Sequence, residues 1–477
     1  MTAPPVPTAR ELHLLNRFAG GYTPQTLRQL RKAGGYRKWF LAQLAPAKVP
    51  ENALTQSFPG WYPALGWSAQ TKDLRNSAGI YPAWEHARDL GNLSLLRRTH
   101  SERQVLEQMT DFWSNHLHVP ANGDFAWLQR KPYDDLLRRY ALSSFETLLI
   151  NATLHPAMQL YLDNWRSVKG APNENHGREL LELHTVGREA GYTEQMVKDS
   201  AKILSGYTVL NTSWNGIYDP GRHTTGAVTV LGFKHPNGKG DGREVTLAYL
   251  RYLARHPATA RRIARKLAQR FVSDTPSAGL VGRLAKVYLR NGTKITPMLL
   301  ALIEEPEFWA SRGRKVRTPY DDLVATMRAL KVTPRKPVRD SSFANAMAWT
   351  HGALPLYHWL APDGAPENAA AWTSVSRMLT SFRMHGNLAG GWWPIHEVGY
   401  RAPVSWLPQD RIRLDAFVDH LSQTWLGRPS TARLLQAVCE AIGEAPAEII
   451  DPEHSVIEWK FQRLTTVLLD SPQHMGR

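Results

Sequence analysis

Apolar residues recur along most of the chain at intervals of three and four, the period of a helix with one buried face. Residues 24–34 (PQTLRQLRKAG) open on a first-turn proline and close on glycine, as helices do. Ser101-Glu102-Arg103-Gln104 has the form of a capping box, and Val105, Met109, Phe112, Trp113 and His116 follow at helical spacing. Residues 143–154, 193–204, 256–272 and 321–330 predict further helices. Alternation of period two is scarce. Its best case is 227–233, inside a Gly- and Asn-rich excursion over 211–242 that carries a hairpin at most. The expected fold class is mainly α: a large multi-helix, bundle-like body, a small β-hairpin excursion near 211–242, and a smaller C-terminal helical part. Candidate linkers at 331–345, 361–368 and 386–403 put a main helical domain with the polar motifs at residues 1–330. The C-terminal helical part, packed on it, then covers 331–477.

Composition narrows the class. The 477 residues are 43% hydrophobic and include 17 Trp, 16 Tyr and 13 Phe, enough for a sizeable core and against disorder. The single Cys439 excludes a disulfide framework, a CxxC pair and a multi-Cys zinc site. There is no run of about 20 apolar residues, so no transmembrane segment is expected. Residues 1–10 hold three prolines and no apolar stretch, so no secretory signal is read and a cytoplasmic location is expected. Lys plus Arg number 58 against 42 Asp plus Glu, a net charge of +16. That excess suits anionic partners, but it is scattered over helical segments, as on a solvated basic surface. Nucleic-acid binding ranks last among the functions considered, for want of any recognisable motif.

Candidate chemistry concentrates in two segments. Residues 173–187 (NENHGRELLELHTVG) form a helix with Asn175, Arg178, Glu179 and Glu182 on one face. His184 falls nearly opposite, so either the carboxylates act without it or the helix is distorted near its end. Two carboxylates and an amide could hold a divalent cation or supply an acid/base pair. The competing reading is an ion-pair network, since Arg178 is spaced by four from Glu174 and from Glu182. The second segment is 112–119 (FWSNHLHV). His116 shares an apolar helix face, and an extended chain at 116–118 would set His116 and His118 side by side as an HxH metal pair. His155 and His256, each before a proline, are placed to cap helices. His223 and His235 flank the excursion as surface-loop residues or a lid. Trp61, Trp67, Trp84, Trp127, Trp392 and Trp393 are read as core or loop anchors in preference to sugar platforms.

These motifs together resemble a known family. His13-Leu14-Leu15-Asn16-Arg17, Gly21-Tyr22-Thr23-Pro24, the 112–119 and 173–187 segments, His155-Pro156-Ala157-Met158, Ser205-Gly206-Tyr207-Thr208, His256-Pro257-Ala258-Thr259-Ala260 and Phe271-Val272-Ser273-Asp274 are similar in order and spacing to the bacterial domain of unknown function 1800 family. The resemblance runs from about residue 10 to 430. It implies a largely helical fold, export in many members, and a working partnership with a second protein resembling sulfatases and phosphatases. This chain departs from the pattern in having no export signal in view, in His176 where an aromatic is expected, and in a looser match over 358–368.

Two functions follow. The first is a metal-assisted or acid/base enzyme, hydrolytic or group-transfer, acting on an anionic or carbohydrate-type substrate. Glu179 and Glu182 would be ligands or acid/base groups, Asn175 an orienting amide, and Arg178 an anion clamp. His116 and His118 would complete the set around a divalent metal ion. The alternative is a non-catalytic helical scaffold that binds the sulfatase- or phosphatase-like partner.

Overall fold

The computed structural model describes residues 4–337 and 356–477. Helices dominate it, and the β-strands among the described residues form short two-stranded antiparallel ribbons. The part of the expected 331–345 linker beyond residue 337 lies outside the described residues. No described helix is long and apolar enough to cross a membrane.

Two buried apolar clusters hold the fold together. The first gathers Leu14, Phe18, Met109, Phe112, Trp113, Phe145, Leu180 and Phe271, whose helices present one apolar stripe each to a common centre. The second joins Leu90, Leu96 and Leu323 to Phe417, Leu421 and Leu464. The clusters do not divide at residue 330: helices Ala83–His100 and Pro319–Ala329 pack on each other and feed the core shared with the C-terminal helices.

Local signals meet tertiary ones at the helix ends. His155 and His256 do cap helices, each Nδ1 accepting the backbone N–H two residues on, at 3.1 and 3.2 Å. The expected capping box at Ser101 does not form. Glu51 takes the Ser101 hydroxyl at 2.5 Å and the Glu102 N–H at 2.8 Å, and the helix begins at Gln104. The Ser101 oxygen still accepts the Arg103 N–H at 3.0 Å, so a local cap persists beside the carboxylate of a distant segment. The excursion carries the hairpin Val228–Val230 with Phe233–His235, preceded by a ribbon of Tyr207–Val209 with Gly216–Tyr218. His223 is neither lid nor surface residue. It is fully buried, its ring nitrogens 2.9 Å from the Ser205 carbonyl and 2.9 Å from Asn237 Oδ1. One polar partner from the excursion and one from the turn that precedes it make that burial tolerable.

Candidate functional site

The 173–187 segment starts as expected, with the Asn173 side chain capping the Asn175 N–H at 2.9 Å. Helix Glu174–Glu179 packs closely on helix Glu194–Leu204: a Cβ on Gly177 would lie 2.8 Å from the Ala201 nitrogen. At Leu180–His184 the helix widens into a π turn. This is the end distortion that the spacing raised as one alternative, and it turns His184 into the core.

The charged face then resolves into surface pairs. Arg178 grips Glu194 with both guanidinium arms, at 2.8 and 2.6 Å, with Glu174 at 3.7 Å. Glu182 accepts from Arg188 Nε at 2.7 Å and from the Tyr192 hydroxyl at 3.0 Å. Glu179 is half-buried, and burial together with repulsion from Glu182 raises its carboxyl pKa against Arg178 and Arg188. The Asn175 amide reaches only the Leu162 carbonyl, at 3.5 Å.

The two histidines of 112–119 part company. His116 is buried on the apolar face of helix Gln104–His116, its Nε2 3.1 Å from the His184 carbonyl. His118 Nε2 lies 2.6 Å from the Trp359 carbonyl. Burial makes both rings neutral, holding His116 well below the usual imidazole range and His118 at about 4. The two candidate segments therefore touch, through His116 and the His184 backbone. Among the described residues, however, no three of His116, His118, Glu179 and Glu182 bring donor atoms within 4.8 Å of one another.

What the 112–119 motif does build is the wall of a cavity of about 280 Å³. Asp111, Ser114, Asn115 and His118 line it from one side, and Arg98, Arg270 and Tyr320 from beneath. Tyr357, Trp359, Glu367 and Trp372, on a segment that crosses over it, complete the lining. The motif holds that segment by its backbone. Asn115 Nδ2 donates to the Ala365 carbonyl at 2.9 Å while its Oδ1 accepts the Ala365 N–H at 2.7 Å, as a neighbouring strand would. His118 takes the Trp359 carbonyl, Tyr161 the Leu360 carbonyl at 3.0 Å, and Lys315 the Glu367 carbonyl at 2.9 Å. Gly364 makes the approach possible: at φ +77°, a Cβ there would sit 2.2 Å from the Asn115 carbonyl oxygen.

Arg98 and Arg270 at the cavity floor belong to a network of three arginines and three carboxylates that reaches from its lining into the core. Arg98 bonds Asp111 at 3.2 Å and Asp321 at 3.0 Å. Arg270 bonds Asp111 at 2.9 Å, Asp321 at 3.2 Å and Glu367 at 3.0 Å. Arg477 closes the set on Asp321 at 2.7 Å. The charges balance. Burial would raise both aspartates, but Arg270, Arg477 and Arg98 together hold Asp321 far below the carboxylate range. Asp111 stays raised, because burial and the like charges of Asp321 and Glu367 outweigh Arg98 and Arg270. None of these six residues stands out in the sequence by itself. A signal did exist: Gln108, Asp111 and Asn115, spaced by three and four, form a polar stripe on an otherwise apolar helix.

Fold and site define a mainly α protein with a charge-balanced cavity held under a strapped segment. The chain belongs to the family described as protein of unknown function (DUF1800), whose family model matches residues 13–475. No curated protein and no solved structure matches it.

Proposed function

We propose that the cavity is the active site of an acid/base enzyme, hydrolytic or group-transfer, acting on a compact neutral substrate of carbohydrate type. The observation that carries this reading is the pair of carboxylates, Asp111 and Glu367, on one guanidinium at the wall of an aromatic-lined cavity. Of the two expected ligand classes, the anionic one loses support because Arg98 and Arg270 are already spent on carboxylates. Tyr357, Trp359 and Trp372 supply faces on which a sugar ring can stack. The acid/base arm is preferred to the metal-assisted one because the four expected ligands lie apart. Asp111, whose two oxygens accept from Arg98 and Arg270, becomes the proton donor to the leaving oxygen once it has taken up a proton and released one of those arginines, a step its raised pKa favours. Glu367 takes the proton of the attacking water or acceptor hydroxyl.

The test is a panel of neutral oligosaccharides and their aryl glycosides, scored by tryptophan emission and by turnover. We expect saturable binding weakened at least tenfold by Trp372→Ala, and turnover reduced about 10²- to 10⁴-fold in a folded Asp111→Asn chain. Absence of binding across the panel, or full turnover in Asp111→Asn, would overturn the reading.

The scaffold reading has one observation of its own. Glu174 and Glu182 of the 173–187 segment are engaged in ion pairs at the surface, where a sulfatase- or phosphatase-like partner could read them.

A further inference from the structure

A second polar cluster lies behind the cavity floor, one residue along the chain from Asp321. Asp322 sits on helix Pro319–Ala329, His385 on helix Val375–Gly390, and His474 in the Pro472–Met475 turn. All three are buried, with side chains no more than 2% exposed. His385 Nε2 is 3.1 Å and His474 Nε2 3.6 Å from the same oxygen, Asp322 Oδ1. Mutual ligand-atom distances stay within 4.8 Å, and among the described residues this is the one His/Cys/Asp/Glu group that does so.

The surroundings orient these atoms. Asp470 Oδ1 lies 2.7 Å from His385 Nδ1 and accepts its N–H, which turns Nε2 toward Asp322. Asp322 Oδ2 accepts from the Ser381 hydroxyl and from Arg377 at 3.3 Å, so Oδ1 is the oxygen turned to both imidazoles. The Thr326 hydroxyl, 2.8 Å from His474 Nε2, adds a neutral oxygen on the same side. Lone pairs on a carboxylate and an imidazole do not sit 3.1 Å apart in a dry interior without a positive species between them. That species is a proton or a cation. Metal bonds of 2.0–2.1 Å in a tetrahedron separate neighbouring ligands by about 3.3 Å, between the two distances seen. A carboxylate on the far nitrogen of a ligating histidine is also how metal sites fix the tautomer.

We propose that Asp322, His385 and His474 form a buried, structural site for a first-row divalent cation of the zinc type, with Asp470 as outer partner on His385 and the Thr326 hydroxyl as outer partner on His474. It ties the C-terminal turn and helix Val375–Gly390 to the helix that carries Asp321, and it does not depend on the cavity being catalytic. It is also distinct from the set that the sequence suggested.

Elemental analysis of the full chain, purified without chelator or affinity metal, tests it. We expect about one equivalent of metal per chain, lost in His474→Gln and in Asp322→Asn and kept in Glu179→Gln/Glu182→Gln. Chelator-treated wild-type chain should take up Zn²⁺ with a rise in Tm. It should also take up Co²⁺ with visible d–d bands of nitrogen and oxygen ligation, a readout that holds even where the variants fail to fold. No metal in the native chain together with no Zn²⁺ or Co²⁺ uptake would overturn the proposal and leave a protonated His385 between its two carboxylates. Loss of metal in the Glu179/Glu182 variant alone would overturn it as well.

Discussion

His176 sits in an environment that its chemistry does not favour. It is fully buried, neither ring nitrogen has a protein partner, and burial drives the imidazole pKa down to about 3. The unfolded chain, with an ordinary imidazole, takes up the proton first as the pH drops below about 6.5. Stability that this ring leaves intact above that pH is lost as the pH falls toward 3, at about 1.4 kcal/mol per pH unit. His184, also held at about 3, adds a slope of the same sign. His176→Phe should stabilise the chain by about 1–3 kcal/mol at pH 7, because two unpaired nitrogens are removed. It should also flatten the acid limb by one histidine's share. Urea unfolding at pH 7, 6 and 5 measures both, and an unchanged acid slope would mean that the ring is hydrated. The sequence shows only that position 176 carries a histidine where the resemblance puts an aromatic; its burial is not legible there. The capping of His155 and His256 and the apolar face of His116 were legible because each depends on neighbours within a few residues.

Among the elements, the segment over the cavity depends most on a single contact. Asn115 pairs with the Ala365 backbone only because residue 364 has no side chain. Gly364→Ala combines a left-handed backbone with a 2.2 Å clash on main chain, and should cost about 2 kcal/mol. Saccharide binding, if the cavity takes sugars, should weaken with it. Denaturant titration decides, and wild-type stability in this variant would remove Asn115 as the anchor. The π turn at Leu180–His184 shows where element-level reading stops. Regular helix geometry revealed a conflict between the Glu179/Glu182 face and His184, but the resolution came from tertiary contact with His116. The start of helix Gln104–His116 is another case, because Glu51, which accepts the Ser101 hydroxyl and the Glu102 N–H there, lies about fifty residues away.

For the whole molecule, the decisive object is the network centred on Asp321. Arg98, Arg270 and Arg477 reach it from widely separated parts of the chain, which is why periodicity and motif spacing did not disclose it. Removing one member of a buried set strands the charge of its partner. Arg477→Met should therefore destabilise by about 3 kcal/mol, at the low end for such pairs because Asp321 keeps two arginines. Equilibrium unfolding in urea measures it, and a loss under about 1 kcal/mol would place Arg477 outside the network. The net charge of +16 resides away from the cavity, because the arginines nearest it are matched by carboxylates where they stand.

The Arg98–Asp321 bond spans 223 residues. Contacts of that separation form late when a chain refolds, since a long loop must close before they return any energy. Helices with local caps need no such closure. Refolding from urea should therefore pass through a species with its circular dichroism restored and its cavity unmade, open to proteases at the 357–372 crossing. In the cell, such a species would be the one that chaperones have to hold.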